Sequence, residues 1–314
     1  MKNKEKTMKK ILFTMIMAGA IFSLSASGGG SAQKPLQGMY PIVLSHGLFG
    51  WGDTDSTALI SIAKYWGGLD DYLRGQGAVV FAPTKTAAQS NEFRAQELKG
   101  KVLTFMAAGG YSKVHVMGHS QGGLDSRYMV SNLGMSSKIS TLTTISTPHY
   151  GSPIADIVKS ALPDWIEPFV SASLGVLTQI LWGGDSQNPL AALNSLSKEG
   201  LTAFNQYTPN SSTVKYFSYG SVITVPDLIQ HPLMGILYPA CAAGGAFNGQ
   251  GMANDGLVPL SSQKWGTWKG GPSYGIFTTG IDHLEASNSL SSGRLWYDVE
   301  GFYLNMAANA KSSQ

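Results

Sequence analysis

The sequence predicts an α/β protein with a mostly parallel central sheet, helices on both faces and one helical insertion. Two observations predict it. Short apolar runs alternate with helical patterns from about Gln33 to residue 147. That alternation suits parallel strands joined by crossover helices, whose faces are then both covered. The chain has 314 residues, 43% of them hydrophobic and 13% charged, enough for one large α/β domain or two small ones with a sizeable core.

The first 32 residues stand apart. "MKNKEKTMKK" carries five Lys and one Glu, and an apolar run of 14 residues (11–24) and the small-residue stretch "SASGGGSAQ" follow. Basic, apolar, then small is the pattern of a secretory signal peptide, so residues 1–32 are expected to be a leader and the protein to be secreted, extracellular or periplasmic. The run is short for a spanning helix, which needs roughly 20 residues; an uncleaved anchor is the alternative. No Cys follows the run to carry a lipid. The chain's formal net charge is +3, and the leader supplies four net positive charges, leaving −1 for residues 33–314. A nearly neutral protein lacks the basic face that nucleic acid requires. Cys241 is the only cysteine, so no internal disulfide forms; within "YPACAAGG" it reads as a small buried apolar residue.

From residue 33 onward the elements follow in order. "YPIVLSHG" (40–47) reads as a strand ending in a loop, and "ALISIAKYWGGLDDYLRGQG" (58–77) as a helix closed by Gly. "AVVFAP" (78–83) is the next strand. "NEFRAQELKGKVLTFMAAGG" (91–110) is a helix with Glu near its start and Gly at its end. "KVHVMGHS" (113–120) is a strand, "GGLDSRYMVSNLG" (122–134) a helix, and the β-branched "ISTLTTIST" (139–147) a strand. Residues 153–206 then hold apolar helical stretches and no clear strand, before strand character returns at "TVKYFSYGSVITV" (213–225). An insertion of that length exceeds ordinary crossover loops. It is either a helical layer completing the fold or a lid over a site.

The sharpest motif is Gly118-His-Ser-Gln-Gly-Gly123. Gly-x-Ser-x-Gly alone is weak in a chain this rich in Gly and Ser. Here "VHVM" precedes it as a strand and "GLDSRYMV" follows as a helix, the setting of a nucleophile elbow. The turn lifts Ser120 to the carboxyl edge of the sheet, at a helix N-terminus that favours a developing oxyanion. The bland reading is an ordinary strand–helix turn.

A serine nucleophile needs a base and an orienting acid, in the chain order Ser, acid, His for this architecture. Three histidines follow Ser120. His149 in "TPHYGS" comes too early, and His231 in "IQHP" precedes the best acid loop. His283 leaves room for an acid-bearing strand end before it, and Asp255 in "MANDGLVPLSS" is the choice, with Gly256 permitting a tight loop. Asp282 is the nearest rival, but adjacent side chains diverge; Asp227, in a Pro-containing turn, is a weaker one. The oxyanion hole takes one N–H from Gln121 and one from the "SHGLFGWG" loop, where Leu48 is the choice.

These segments, with "LTTISTPHYGSPIADIV", "NDGLVP" and "DHLEASN", resemble in order and spacing the secreted bacterial triacylglycerol lipases of the Pseudomonas, Burkholderia and Proteus type. The resemblance implies an α/β-hydrolase fold, Ser120 as nucleophile, Asp255 as acid, His283 as base, and Leu48 and Gln121 as oxyanion donors. It makes 153–206 a lid that moves at a lipid interface. It implies no cofactor for the chemistry. Two departures matter. Ser261 stands where many members have a disulfide cysteine. At the family's calcium positions stand Glu285, Ser289 and, before Pro232, His231. Glu285 is therefore the one calcium candidate, and His231 brings no oxygen ligand. The function expected is a serine carboxylester hydrolase, foremost a triacylglycerol lipase. A polyester (polyhydroxyalkanoate-type) depolymerase or a phospholipase is the alternative, and a non-catalytic binding module of the same fold is the alternative of another class.

Overall fold

Among the described residues six strands form one parallel sheet in the order β2-β1-β3-β4-β5-β6, numbered along the chain. The computed structural model describes residues 33–52, 64–161, 186–273, 279–289 and 297–314. The expected leader (1–32), the first part of the helix expected at 58–77, and residues 162–185 of the expected lid lie outside the described residues. Lys34–Gln314 make one compact unit. No helix among the described residues is long and apolar enough to cross a membrane.

Strands β1 (Ile42–Ser45), β3 (Val114–His119) and β4 (Ile139–Ile145) are buried along their whole length. Helices cover both faces, so even the Ser140, Thr141, Thr143 and Thr144 side chains of β4 and His115 of β3 are buried. Ile42, Leu44, Met117 and Ile145 point to one face, against α1 (Leu69–Gly75) and α8 (Val299–Lys311). Val43, Val114, Val116 and Leu142 point to the other, against α2 (Asn91–Gly109) and α3 (Gln121–Asn132). Helix α2 offers Ala95, Leu98, Val102 and Met106 at helical spacing. It starts where Ser90 accepts the Phe93 N–H and stops at the left-handed Gly110.

Strands β2 (Val80–Phe81) and β5 (Lys215–Tyr219) are shorter than the runs that announced them. Past Tyr219 the chain leaves the sheet, and Ile223 instead pairs with Gly280, beside the His283 loop. Between β4 and β5 stand three described helices, α4 (Pro153–Ser160), α5 (Pro189–Leu196) and α6 (Lys198–Tyr207). They pack on α3 through Leu124, Ala155, Leu196, Leu201 and Phe204. Arg127 of α3 pins that layer: its guanidinium lies 3.6 Å from the Trp265 ring centroid and donates to Asn205 Oδ1 (2.9 Å) and Thr208 O (3.1 Å).

Three elements were not announced by the sequence. Helix α7 (Met234–Phe247) is apolar all round and contains Pro239, β6 (Thr267–Trp268) is two residues long, and α8 closes the chain. Cys241 is buried in α7.

Candidate active site

The ends of β1 and β3 lie side by side, Ser45 in register with Gly118, so the loop after β1 meets the turn after β3. Ser120 sits between β3 and α3 with φ 54° and ψ −131°. A non-glycine residue there costs roughly 1–3 kcal/mol, which the packing around the turn must offset. Gly122 makes the turn possible: a Cβ on it would come within 2.0 Å of Ser45 O. Ser45 Oγ then donates to Gly122 O at 3.0 Å, tying the two loops.

Ser120 Oγ is 2.9 Å from His283 Nε2, and His283 Nδ1 is 2.8 Å from Asp255 Oδ2. The carboxylate only accepts, so Nδ1 carries the proton and Nε2 is free to accept from the serine hydroxyl. Asp255 is fully buried, on a turn between α7 and β6 rather than at a strand end. The turn is of its own making: Oδ1 accepts the Leu257 and Val258 N–H groups at 3.1 and 2.8 Å. Gly256, with φ 97°, completes it. Oδ2 also accepts Gln263 Nε2–H at 3.3 Å, and the His283 N–H donates to Asp255 O at 3.0 Å.

The remaining candidates part company. Asp282 turns from the His283 ring; its Oδ1 accepts the Leu284 and Glu285 N–H groups at 2.8 Å each. Asp227 accepts the Ile229 N–H on an exposed loop. His149 is a core histidine stacked on Trp265, held neutral by burial and by the Arg127 charge. His231, Asp282 and Glu285 come together as a buried cluster. Ser289 bonds to Ser287 at 2.7 Å.

The oxyanion loop is held from behind. Lys85 N–H donates to His46 Nε2 at 2.9 Å, so His46 carries its proton on Nδ1 and gives it to Gly47 O, also at 2.9 Å. Burial, with Lys85 and Arg94 nearby, keeps His46 neutral. Arg94 Nη2 donates to the same Gly47 carbonyl at 3.0 Å and to His46 O at 2.8 Å. Across a trans peptide the C=O and the next N–H point opposite ways. Gripping the Gly47 carbonyl therefore turns the Leu48 N–H away from Arg94, and it has no protein partner among the described residues. Gln121 opens α3, where helix N–H groups are left unpaired. Its side chain is tied back to Gln89 O and Asn91 Oδ1 at 2.9 and 3.0 Å.

A second chain of bonds joins the two loops behind Ser120. Gly47 N–H donates to Tyr65 Oη (3.0 Å), Tyr65 Oη is 2.7 Å from His119 Nδ1, and His119 Nε2 is 3.0 Å from His283 O. Its backbone ends fix the polarity: His119 must donate through Nε2, so Nδ1 accepts from the tyrosine hydroxyl. Burial, with His283 nearby, keeps His119 neutral. The sequence held a signal for His119, inside the serine motif, but none for Tyr65 or Arg94.

Ser120 and His283 open on a cavity of about 900 Å³ walled by apolar side chains, among them Leu48, Trp51, Leu193, Leu237 and Val258. Beside it, α7 carries no charge and exposes Ile236 and Phe247, while Ile229 and Leu233 are exposed just before it.

Residues 40–219 match the family model described as alpha/beta hydrolase fold. A triacylglycerol lipase of Vibrio cholerae is 32% identical over 286 residues, covering 82% of this chain and 86% of its own length. A triacylglycerol lipase of Pseudomonas fragi is 28% identical over 280 residues, covering 81% and 89%. Among solved structures, the Staphylococcus hyicus lipase superposes with a TM-score of 0.63 at 19% identity, covering 92% of this chain and 98% of its own.

Proposed function

The chain belongs to the α/β-hydrolase family, and we propose that within it Ser120, His283 and Asp255 hydrolyse water-insoluble esters of the triacylglycerol kind. It is a serine carboxylester hydrolase. One observation carries the assignment of residues: the Ser120–His283–Asp255 relay, at 2.9 and 2.8 Å, opens on an apolar cavity.

Ser120 attacks the ester carbonyl while His283 Nε2 takes its proton, and Asp255 stabilises the imidazolium. Negative charge on the carbonyl oxygen falls to the Leu48 and Gln121 N–H groups. His283 returns the proton to the departing alcohol, then activates the water that releases the acid. The apolar walls and uncharged α7 suit long acyl chains presented from an aggregate. Helices α4–α6 stand in the stretch expected to be the lid. Secretion through residues 1–32 and membership of the Pseudomonas, Burkholderia and Proteus group rest on the motifs quoted above.

Rates on emulsified long-chain triglyceride, soluble short-chain ester and polyester film test this reading. Ser120→Ala, folded by circular dichroism, should lose all of them, with wild type fastest on the emulsion. Persistent hydrolysis in Ser120→Ala sinks the residue assignment, and film as the best substrate sinks the triacylglycerol one.

A further inference from the structure

Asp282 and Glu285 flank His283 in the chain, and both bury their carboxyl groups against His231. His231 Nδ1 lies 3.2 Å from Glu285 Oε2 and 3.4 Å from Asp282 Oδ2, and Nε2 lies 3.0 Å from Thr279 Oγ1. The His231 backbone is fixed at the start of α7, its N–H on Asp227 O and its carbonyl accepting Gly235 N–H, both at 2.8 Å. On the other side the carboxyl groups brace the turn itself. Asp282 Oδ1 takes the Leu284 and Glu285 N–H groups, and Glu285 Oε2 takes the Asp282 N–H at 2.8 Å. Asp227, the other nearby carboxylate, bonds to Ile229 N–H.

The family resemblance would put calcium beside Glu285. The donor set does not fit that ion. It offers two carboxyl groups and a ring nitrogen, whereas calcium takes roughly six to eight oxygens. Ser289, at the other position, lines the catalytic cavity instead.

We propose that the imidazolium of His231 is the cation that holds Asp282 and Glu285 together, in place of a metal ion, and so makes His231 a positioning residue for His283. Two buried carboxyl groups this close either keep a proton or take a cation between them; burial and the Asp282 charge raise the Glu285 pKa, and the His231 hydrogen bond opposes them. Burial alone would lower the His231 pKa, but hydrogen bonds to Asp282 and Glu285 and their charge outweigh it and raise it to about 9. The link ties the loop bearing the base to the first turn of α7, whose Met234 lines the cavity.

The test compares wild type with His231→Gln in EDTA and in calcium chloride. It reads melting temperature, and kcat and KM on a soluble short-chain ester. Wild type should be the same in both media. His231→Gln should melt lower and lose kcat by about tenfold with KM unchanged, the signature of a misplaced base. The double variant His231→Gln/Glu285→Gln, with one carboxyl group fewer, should melt above the single variant. A wild type that loses stability in EDTA and regains it with calcium overturns the proposal in favour of a metal. So does a His231→Gln protein indistinguishable from wild type, or a double variant no more stable than the single one. Melting temperature does not depend on which residue is the base, so these outcomes are separate from failure of the catalytic assignment.

Discussion

Two buried ionic clusters support the two loops of the site, and they have opposite composition. Behind the oxyanion loop, Lys85 Nζ and Arg94 Nε both lie 2.9 Å from Asp125 Oδ2: two cations to one anion, all fully buried. Behind the base loop, His231 faces Asp282 and Glu285: one cation to two acids. In the proposed mechanism the cation-rich cluster sits where negative charge builds, next to the Leu48 N–H. The acid-rich cluster sits where positive charge builds, on the loop carrying the His283 imidazolium. Each also grips backbone, the first through the His46 and Gly47 carbonyls, the second through the Asp282, Leu284 and Glu285 N–H groups. One arrangement thus serves loop geometry and transition-state electrostatics together.

The largest effect should come from the carboxylate that holds the His283 ring. Asp255→Asn keeps the shape of the turn but spoils the His283 tautomer, so kcat should fall on the order of 10⁴ with the melting curve little changed. Next comes the lone anion of the cation-rich cluster. Asp125→Asn leaves two buried cations unpaired and should destabilise the fold by about 3–5 kcal/mol in denaturant titrations. Lys85→Met should be far milder, because Asp125 keeps Arg94. If both substitutions cost the same, the cluster is not organised around its charge ratio.

The clusters should also part company in alkali. The folded pKa of His231 is raised to about 9, so its contribution to stability is full below about pH 6.5 and lost as pH rises through 9. Lys85 is shifted the other way, to about 8, chiefly by burial. Its charge burdens the fold below 8, and that burden lifts between 8 and about 10.5, the usual lysine value. Melting temperature against pH should therefore fall more steeply in wild type than in His231→Gln between pH 6.5 and 9. The smallest effect is expected from Tyr65→Phe, which breaks the link between the loops and strands the buried Gly47 N–H. It should cost about 1–3 kcal/mol of stability and a severalfold drop in kcat.

The residues proposed as catalytic, which the structure brings within hydrogen-bond distance, each come with a local signature. Ser120 lies in a glycine-flanked turn between a strand and a helix, and Asp255 precedes a glycine that closes a tight turn. His283 is the histidine that chain order leaves. The supporting clusters were not legible. Lys85, Arg94 and Asp125 belong to types that mostly face water, and nothing in "FAPTKTA" or "NEFRAQ" says that they do not. In the fold, β1 stands out as an apolar run and β3 and β4 by their β-branched residues, whereas β6 is too short to carry a period. Helix α7 hides because an all-apolar helix with an internal proline shows no amphipathic face. Helix α8 did carry a signal, the Asp298 cap that accepts the Gly301 N–H, with Glu300 in its first turn and Lys311 in its last.

The most direct measurement is covalent trapping with a long-chain phosphonate ester, followed by mass spectrometry of the labelled peptide. A single adduct on Ser120, formed far more slowly in His283→Ala and Asp255→Asn, is the predicted result. Labelling at another residue, or equal labelling rates in all three proteins, would contradict the assignment of Ser120, His283 and Asp255 as the reacting unit.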